Sequence, residues 1–471
     1  MPRTNPTPCS RSLAVLLVFL CGPALLPPAA AQEQPPDGPY PAVVERLKDL
    51  GLEQERAYEL LGRLTSVGPR LTGSPGAAAG VELMRAMMTE LGFENVRLEP
   101  VTVERWVRGA VERAAIVEPA LAGNSALAVS ALGGSVATPA GGLTAPVVEV
   151  RSFEELGRLG PAVKGRIVLF NRAMDRKLLE SFRAYGGAVD QRVRGASEAA
   201  KLGAVAVLVR SVTLREDRNP HTGLLHYDPA APRIPAAAIA TQDATLLSGL
   251  LAKGTPVRVR MELSCDDLGP VPSANVIGEL RGTDLPNEVV LLGGHLDSWD
   301  LGVGAHDDGA GCAASVEALR LIKECGLRPR RTIRAVMFMD EEFGGTGGRF
   351  YAAADGRKGE RHIAAMESDG GGFLPIAVAG GPPEAFAKLR ERASLFEPLG
   401  IRWIRPGGGG VDVAPLAAGG TALLGIVTDS QKYFDVHHSA LDVLSAVHPR
   451  ELELLSVALA AYAYLVAQEG I

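Results

Sequence analysis

Residues 289–311 read VVLLGGHLDSWDLGVGAHDDGAG, and this stretch decides the fold. An apolar run of four residues leads into two glycines and then into His295-x-Asp297. Twelve residues after the histidine, the acidic pair Asp307-Asp308 lies in a glycine-rich turn before a helical pattern. A strand, a ligand-type residue, a tight turn, a second ligand-type residue and a helix, in that order, are typical of a metal site at the end of a parallel strand.

The chain from residue 276 to residue 471 alternates between strand and helix patterns. Helices are predicted after the acidic pair, as far as Cys325, and after Pro449. Strands are predicted at residues 288–294, 332–339, 362–367 and 421–427. The alternation predicts an α/β domain whose mainly parallel sheet is covered by helices on both faces. Ligands bind such sheets beyond the carboxyl ends of the strands.

Residues 32–105 are predicted to be the N-terminal part of this domain. Helical spacing extends over residues 41–64, and Ser74-Pro75 is a good N-cap and N1 pair for a second helix. Valines and leucines over residues 96–103 then indicate a strand.

Residues 106–275 have a different sequence pattern, with short predicted segments and frequent turns. A strand is predicted at residues 164–170, and a helix, a turn and a strand follow over residues 195–209. The segment is interpreted as an inserted domain, mostly β with small helices. It contains no dense cluster of catalytic residue types.

Residues 1–31 have the pattern of a cleavable secretory signal. Arg3 and Arg11 precede an apolar run, and a Pro-Pro-Ala-Ala-Ala segment follows it. The alternative is a membrane anchor, but the run falls short of the roughly 20 residues that a spanning helix needs. The expected location is therefore outside the cytoplasm, secreted or periplasmic, with no membrane association after the signal is removed.

Composition limits the classes of partner and of site. The formal net charge of −6 over 471 residues gives no reason to expect a nucleic-acid or anionic-membrane partner. After signal cleavage only Cys265, Cys312 and Cys325 remain, without the paired spacing of a disulfide framework or a zinc knuckle. Buried free thiols are expected for Cys312 and Cys325.

Histidines and carboxylates follow four of the predicted strands. They are His295 and Asp297; Asp340, Glu341 and Glu342; Glu367 and Asp369; and Asp435, His437, His438 and Asp442. One acid in a loop is usually just solvated, but four such groups at one sheet edge point to a shared site. His and carboxylate ligands without thiolate suit zinc. Two histidines with several carboxylates exceed one tetrahedral ion but fit two ions about 3.5–4 Å apart.

Asp297 lies two residues after His295, on the same side of an extended chain. We therefore predict that it holds the tautomer of that imidazole.

These motifs together resemble those of the co-catalytic di-zinc exopeptidases, and among them most closely the plasma glutamate carboxypeptidase branch. The likeness extends over nearly the whole mature chain. Its other segments are Pro69 to Ser74, Arg210-Ser211-Val212 and Pro220 to Gly223. The resemblance implies a three-layer α/β sandwich with a mixed, mainly parallel sheet, the zinc exopeptidase fold. It also implies that residues 106–275 form a protease-associated-type lid domain.

The resemblance also implies a role for each ligand-type residue. One zinc ion would lie on His295 and Asp369, the other on Glu342 and His438, with Asp307 bridging them and Glu341 as general base. The family's spacing selects Asp307 over Asp308 and His438 over His437. In the family, the peptide bond after the bridging acid is cis, and the same is predicted for Asp307–Asp308.

Several residues keep two interpretations. His437 occupies a position where wider relatives often have a tyrosine that donates to the oxyanion, and it is a candidate catalytic residue. His221 and His226 either approach substrate from the lid or make ordinary turn contacts. Asp412, after four glycines, either lies near the substrate amino group or belongs to a mobile loop. His306 is expected to be structural.

The sequence thus predicts a secreted di-zinc metallopeptidase that hydrolyses short peptides, chiefly dipeptides with free termini, through a metal-bridging hydroxide and Glu341. The alternatives are an aminopeptidase on longer peptides and an amidohydrolase of N-acyl amino acids. A non-enzyme alternative is an inactive receptor or binding ectodomain, although such relatives typically lose the ligands that are present here. The resemblance also suggests a homodimer.

Overall fold

The computed structural model describes residues 38–121, 125–354, 357 and 359–470. The predicted signal segment, residues 1–31, lies outside the described residues.

Strands of the described residues form two sheets. In chain order they are β1 Glu94–Val107, β2 Glu112–Glu118, β3 Ala126–Leu127, β4 Val129–Ala131, β5 Leu143–Val150, β6 Ile167–Phe170, β7 Ala206–Arg210, β8 Ala236–Ile239, β9 Arg258–Leu263, β10 Asp266–Leu280, β11 Leu285–His295, β12 Arg331–Phe338, β13 Arg361–Glu367, β14 Pro375–Gly380, β15 Trp403–Pro406 and β16 Ala422–Thr428.

Helices lie between these strands and at both ends of the described chain. They are α1 Tyr40–Gln54, α2 Arg56–Thr65, α3 Pro75–Glu90, α4 Phe153–Leu159, α5 Ser181–Gly186, α6 Asp190–Lys201, α7 Thr241–Ala252, α8 Ala310–Glu324, α9 Thr346–Ala353, α10 Pro383–Glu391, α11 Tyr433–Val436 and α12 Pro449–Glu469.

The first sheet has the strand order β1-β10-β12-β11-β13-β16-β14-β15. Its centre, β12-β11-β13-β16, is parallel. β10 pairs antiparallel with β1 and β12, and β14 pairs antiparallel with β16 but parallel with β15. The four central strands are the four predicted from the sequence. Because they are parallel, their carboxyl ends lie along one edge of the sheet. The mixed α/β fold is confirmed.

Helices cover the first sheet on both faces, and β11 contributes to both cores. Val290 and Leu292 belong to the large core that includes α8 and α12, while Leu291 belongs to a separate cluster with Tyr351 of α9. This alternation explains why the strand reads as a continuous apolar run. Among the described residues, α12 is the one helix long and apolar enough to cross a membrane, but 83% of its apolar window is buried inside the protein.

The N-terminal helices show how tertiary contacts adjust a local pattern. Ser74 caps α3 as predicted, its hydroxyl accepting from the Ala77 N–H at 3.1 Å. The helical spacing over residues 41–64, however, is divided between α1 and α2 at Glu55, whose φ is +47°. The distant Glu453 carboxylate accepts from the Ala57 N–H at 3.0 Å and so caps the start of α2.

The second sheet, order β3-β2-β9-β5-β6-β7-β8-β4, is formed by residues 112–263, hereafter the second-sheet region. Its central strands β5 to β8 are parallel and alternate with α4, α6 and α7, so the region is more α/β than the mostly β domain predicted. The predicted limits, 106 and 275, fall inside β1 and β10. These two long strands pair with each other in the first sheet, and their exposed alternating ends resemble the short segments beyond them.

Two smaller predictions are confirmed. Cys312 and Cys325 are buried free thiols, as is Cys265. The Asp307–Asp308 peptide bond is cis.

Candidate metal centre

The carboxyl ends of four parallel strands bring the predicted ligands together. His295 ends β11, the Asp340–Glu342 segment follows β12, Asp369 follows β13, and His437-His438 lies beyond β16. All of these except Asp369 and Glu341 are less than 9% exposed.

Asp307 lies between the two histidines. Its Oδ1 is 3.1 Å from His295 Nε2, and its Oδ2 is 3.2 Å from His438 Nε2. Asp369 Oδ1 lies 3.7 Å from His295 Nε2, and Glu342 Oε2 lies 3.2 Å from His438 Nε2. The five side chains are thus arranged as two His-carboxylate pairs joined by one carboxylate.

The tautomers of both histidines fit metal binding. The Asp297 carbonyl oxygen is 3.1 Å from His295 Nδ1, and the Thr222 carbonyl oxygen is 3.3 Å from His438 Nδ1. A carbonyl can only accept, so Nδ1 carries a proton, and Nε2, on the side of Asp307, is the nitrogen that would bind a metal ion. Glu342 Oε1 is buried without a hydrogen-bond partner, an acceptor that a cation would satisfy. This donor set of nitrogen and oxygen fits zinc.

Asp297 is expected from the sequence to hold the tautomer of His295. The contact is made by the main-chain carbonyl of Asp297 and not by its carboxylate. Its Oδ1 lies 3.8 Å from His295 Nδ1. The carboxylate instead accepts from the backbone N–H groups of Asp340, Glu341 and Glu342, at 2.8, 3.2 and 3.2 Å. The reason is geometric, because the carbonyl of Asp297 already occupies the Nδ1 direction. Asp297 therefore fixes the loop that carries the predicted base.

The loop that carries Asp307 is held from two sides. Asp442 accepts from the backbone N–H groups of Ala305, His306 and Asp307, at 3.1, 2.7 and 3.1 Å. Arg70, fully buried, donates to the carbonyl oxygens of Leu296, Val303 and Gly304, at 2.7, 2.7 and 2.9 Å. Both ends of the loop are thereby fixed.

Asp308 supports the strand end, and it also belongs with His295 and Asp369 to a group close enough to hold one ion. Its two carboxylate oxygens accept from the backbone N–H groups of His295 and Gly311, both at 3.0 Å. His306 is structural, as predicted: its Nε2 lies 3.2 Å from the Ala446 carbonyl, and its ring stacks on Phe373.

His437 lies beside the centre within a set of aromatic rings. It stacks on His438 with a centroid separation of 3.5 Å, and its Nε2 is 3.7 Å from Asp307 Oδ2. Tyr185, Tyr433 and Phe434 surround its other sides. Burial, followed by the charge of His438, lowers the pKa of His437 well below its usual value. Asp307, His437 and His438 also form a group close enough to hold one ion.

Charges within the site shift the carboxyl groups in opposite directions. Burial raises the pKa of Glu341, and Asp369 and Glu342 add to this rise against the opposing charge of His295. Burial also opposes ionisation of Asp307, but contacts with His295 and His438 outweigh it and hold the pKa of this carboxyl well below its usual value. Asp307 is therefore the anionic centre of the site.

A cavity of 370 Å³ opens onto the centre. Its catalytic wall includes Asp307, Glu341, Glu342, Asp369, Val411, Tyr433, Phe434, His437 and His438. The opposite wall belongs to the second-sheet region and includes Phe182, Tyr185, Arg192, Val193, Leu224 and His226. Residues of both the metal centre and the second-sheet region thus line the cavity.

The structure separates the residues whose roles the sequence left open. His226 lines the cavity and is exposed to it. His221 does not line it; this side chain is 2% exposed, and its Nδ1 lies 2.7 Å from the His437 carbonyl. Asp412 is fully buried and accepts from the Gly348 N–H at 3.1 Å, so only its neighbour Val411 reaches the cavity.

Sequence reasoning gave no role to several residues that shape the site. Trp299 donates its indole N–H to Glu342 Oε2 at 2.5 Å, and Thr72 donates to Asp297 at 2.7 Å. Arg192 is 8% exposed; its Nη1 lies 3.4 Å from the Thr222 carbonyl oxygen and 3.5 Å from His438 Nδ1, and its Nε has no hydrogen-bond partner. Trp299 lies within residues 289–311, so the sequence alone could have identified it as a neighbour of the site. Arg192 carries no such signal, since only the fold brings it to the cavity.

Comparison with protein families and curated proteins agrees with this geometry. The family model for Peptidase family M28 matches residues 275–463. Carboxypeptidase Q of Bos taurus is 38% identical over 88% of this chain and 86% of its own length. Carboxypeptidase Q of Xenopus laevis is 37% identical over 91% of this chain and 90% of its own length.

Solved structures give the same result for the fold. A peptidase M28 precursor from Shewanella amazonensis superposes with a TM-score of 0.87 at 35% identity, over 92% of this chain and 97% of that one. A zinc aminopeptidase from Bacillus subtilis has a TM-score of 0.63 at 19% identity, over 88% and 96%, and supports the fold alone.

Proposed function

The chain belongs to peptidase family M28, and from this premise we propose that it hydrolyses dipeptides with free amino and carboxyl termini. As a relative of carboxypeptidase Q, it is a zinc metallopeptidase of the exopeptidase type. The observation that carries the finer proposal is Arg192, which lies on the cavity wall with an unpartnered Nε. Among the described lining residues it is the only arginine or lysine.

Arg192 is suited to a substrate carboxylate. Its guanidinium is always charged and pairs with carboxylates through two parallel hydrogen bonds. It lies 5.6 Å from the Tyr185 ring, and Gly223 packs closely against it, so the side chain is held in place. A free terminal carboxylate bound there would lie in the cavity that Glu341 also lines. The volume of 370 Å³ favours a short substrate.

Two zinc ions are proposed, one on His295 and Asp369 and one on Glu342 and His438, with Asp307 shared. When bound, such a pair supplies an acidified water nucleophile and polarises the scissile carbonyl. Glu341 then acts as general base: it takes a proton from the attacking water and passes it to the leaving amine. Its backbone N–H donates to the Asp297 carboxylate, and burial raises its pKa.

His437 is proposed as a donor to the oxyanion. Its lowered pKa keeps the ring neutral, and a neutral imidazole has one N–H to donate. Its position on the cavity wall beside Asp307 supports this role.

Three further assignments rest on the sequence pattern and the resemblance. Residues 1–31 are proposed as a signal peptide that directs the enzyme to the periplasm or the medium. The second-sheet region is proposed to be the protease-associated-type domain that covers the substrate. A homodimer is proposed from the resemblance alone.

The test compares three substrates with the zinc-loaded enzyme. Dipeptides are expected to give a kcat/KM at least tenfold above that of an aminoacyl amide, because only dipeptides offer a carboxylate to Arg192. N-acetyl amino acids are expected to be poor substrates. Activity on the amide alone would support the aminopeptidase alternative, and activity confined to N-acetyl amino acids would support the amidohydrolase.

A variant tests the proposed base. Glu341→Gln is expected to lower kcat by about 10²–10⁴-fold while zinc content, measured by atomic absorption, stays at two per chain. Full turnover by a fully zinc-loaded variant would remove Glu341 from this role.

A further inference from the structure

The segment that carries His437 and His438 is hydrogen-bonded to the second-sheet region along its length. These bonds run from Ser181 Oγ to the Ser430 carbonyl at 2.9 Å, from Gln431 Nε2 to the Leu179 carbonyl at 2.8 Å, from Thr213 Oγ1 to the Phe434 carbonyl at 2.6 Å, from His221 to the His437 carbonyl at 2.7 Å, and from the Thr222 N–H to the His438 carbonyl at 2.9 Å. The second-sheet region therefore packs directly against the ligand-bearing segment.

At His438 the contact becomes reciprocal. The Thr222 N–H donates to the His438 carbonyl, and the Thr222 carbonyl accepts from His438 Nδ1 at 3.3 Å. One residue of the second-sheet region thus fixes both the backbone and the ring of this ligand. His438 needs such support because its φ of +57° is unfavourable for a residue with a side chain.

His221 fixes the peptide bond just before His438. Because the His437 carbonyl can only accept, His221 Nδ1 is the donor in their 2.7 Å contact. This bond orients the plane of the 437–438 peptide. That peptide ends at the Cα of His438, which carries the ligand side chain. His221 Nε2 has no partner, so the ring has no other hydrogen-bonding task.

The loop that carries these two residues is itself rigid. The Ser211 hydroxyl accepts from the His221 N–H at 2.8 Å, and the Thr222 hydroxyl donates to the Ala131 carbonyl at 2.8 Å. The Gly133 N–H donates to the Gly223 carbonyl at 3.0 Å. The loop therefore presents His221 and Thr222 to His438 at positions set by the second sheet.

We propose that His221 is a positioning residue for the zinc ligand His438, so that one of the two metal sites is completed only by the second-sheet region. The proposal rests on the two-zinc site of the proposed function. The other site does not share this dependence, because His295 Nδ1 is held by Asp297 of the same loop. Loss of the His221 contact should therefore lower the affinity for one zinc ion and leave the affinity for the other unchanged.

The experiment measures zinc binding rather than turnover. The metal-free full chain is titrated with Zn²⁺ in competition with a chromophoric chelator. His221→Ala is expected to weaken one of two zinc constants by about 10–100-fold, the range for loss of an outer-shell partner. His221→Asn, whose amide nitrogen reaches the position of Nδ1, is expected to bind both ions within about threefold of wild type. His221→Gln places its donor one bond farther out and is expected to behave like His221→Ala.

Thr213→Val is the matched control. It removes a hydrogen bond to the same segment, at Phe434, without touching the 437–438 peptide. Both zinc constants are expected to stay at the wild-type values. If His221→Ala does not fold, the pair His221→Asn and His221→Gln decides the question by the same criterion.

Three results would overturn the proposal. Unchanged zinc constants in His221→Ala and His221→Gln would show that the contact does not position the ligand. If His221→Ala weakened the binding of both ions equally, and Thr213→Val had the same effect, the role of His221 would be generally structural. Wild-type protein that binds two ions but fails to cleave dipeptides would contradict the proposed substrate alone. Wild-type protein that binds fewer than two would overturn this proposal together with the two-zinc assignment.

Discussion

The two halves of the metal centre are built in different ways. In the His295 half, one stretch supplies the histidine, the Asp297 carbonyl that fixes its imidazole, and Asp307, while Asp369 comes from beyond β13. The His438 half takes its ligand from beyond β16, its carboxylate from beyond β12, and its ring contact from Thr222 of the second-sheet region. Asp307 is the residue that both halves share.

The two histidines thus differ in whether the residue that fixes the ring is near in sequence or far away. The His295 half depends on the strand end and on Arg70, which secures the loop from behind. The His438 half depends on the docking of one sheet region against another. A substitution in the second-sheet region should therefore affect one ion, whereas a substitution at Asp307 should affect both.

Asp307→Ala tests the shared residue. Its two oxygens face His295 Nε2 and His438 Nε2, so both zinc sites should lose a ligand and activity should fall below detection. Atomic absorption after gel filtration should find less than one zinc per chain. Asp369→Ala and Glu342→Ala, which each face one histidine, should retain about one. Two tightly held ions in Asp307→Ala would rule out the shared role.

Arg192→Met tests the His438 half and the proposed substrate together. Loss of a charge-assisted pair worth about 1.5–3 kcal/mol should raise the KM for dipeptides by about 10–150-fold. The KM for an aminoacyl amide should change little, since that substrate has no terminal carboxylate. Steady-state kinetics on the two substrates measures the difference. An equal loss on both would assign Arg192 to the support of His438 instead.

Arg70→Lys tests the His295 half. A lysine ammonium cannot reach the three carbonyls of Leu296, Val303 and Gly304 at once, which leaves at least one buried acceptor unpaired. The free energy of unfolding in urea should fall by about 1–3 kcal/mol. The affinity for zinc should fall more at the His295 site than at the His438 site. Wild-type stability would mean that the loop holds its shape without this side chain.

Glu453→Gln tests a buried acid outside both halves. Burial, and then the charge of Glu317, raises the pKa of Glu453 from 4.5 to about 8. The fold thus favours the protonated form, so stability falls as the pH rises from about 4.5 to about 8. Glutamine does not ionise, so the variant's Tm should exceed that of wild type by a margin that grows over this range. A margin independent of pH would contradict this account.

Much of this molecule could be predicted from local patterns. The apolar runs before His295, Asp340 and Glu367 identified three central strands, because a strand buried on both faces reads as a continuous apolar segment. Parallel strands place their carboxyl ends at one edge, so the ligand-type residues after them converge. The resemblance then separated Asp307 from Asp308, and the structure confirms the cis bond between them.

Other features depend on contacts between residues far apart in the chain. Glu453 caps α2 and divides a helix that the local spacing runs together, since a cap from another helix has no signature in the segment that it caps. The predicted limits of the inserted domain, 106 and 275, fall inside β1 and β10, because partly exposed strand ends look the same in either sheet. Asp297 contacts His295 through a carbonyl, a choice set by backbone direction rather than by residue type.

The sequence by itself determined the four central strands of the first sheet, the family and the ligand-type residues, since residue type and spacing carry that information. The tertiary structure alone decided which atoms hold each histidine and which side chains enclose the cavity. Thr222, His221 and Arg192 reach the centre only because the second-sheet region packs against the segment beyond β16. Their roles follow from distance in space, which separation along the chain does not encode.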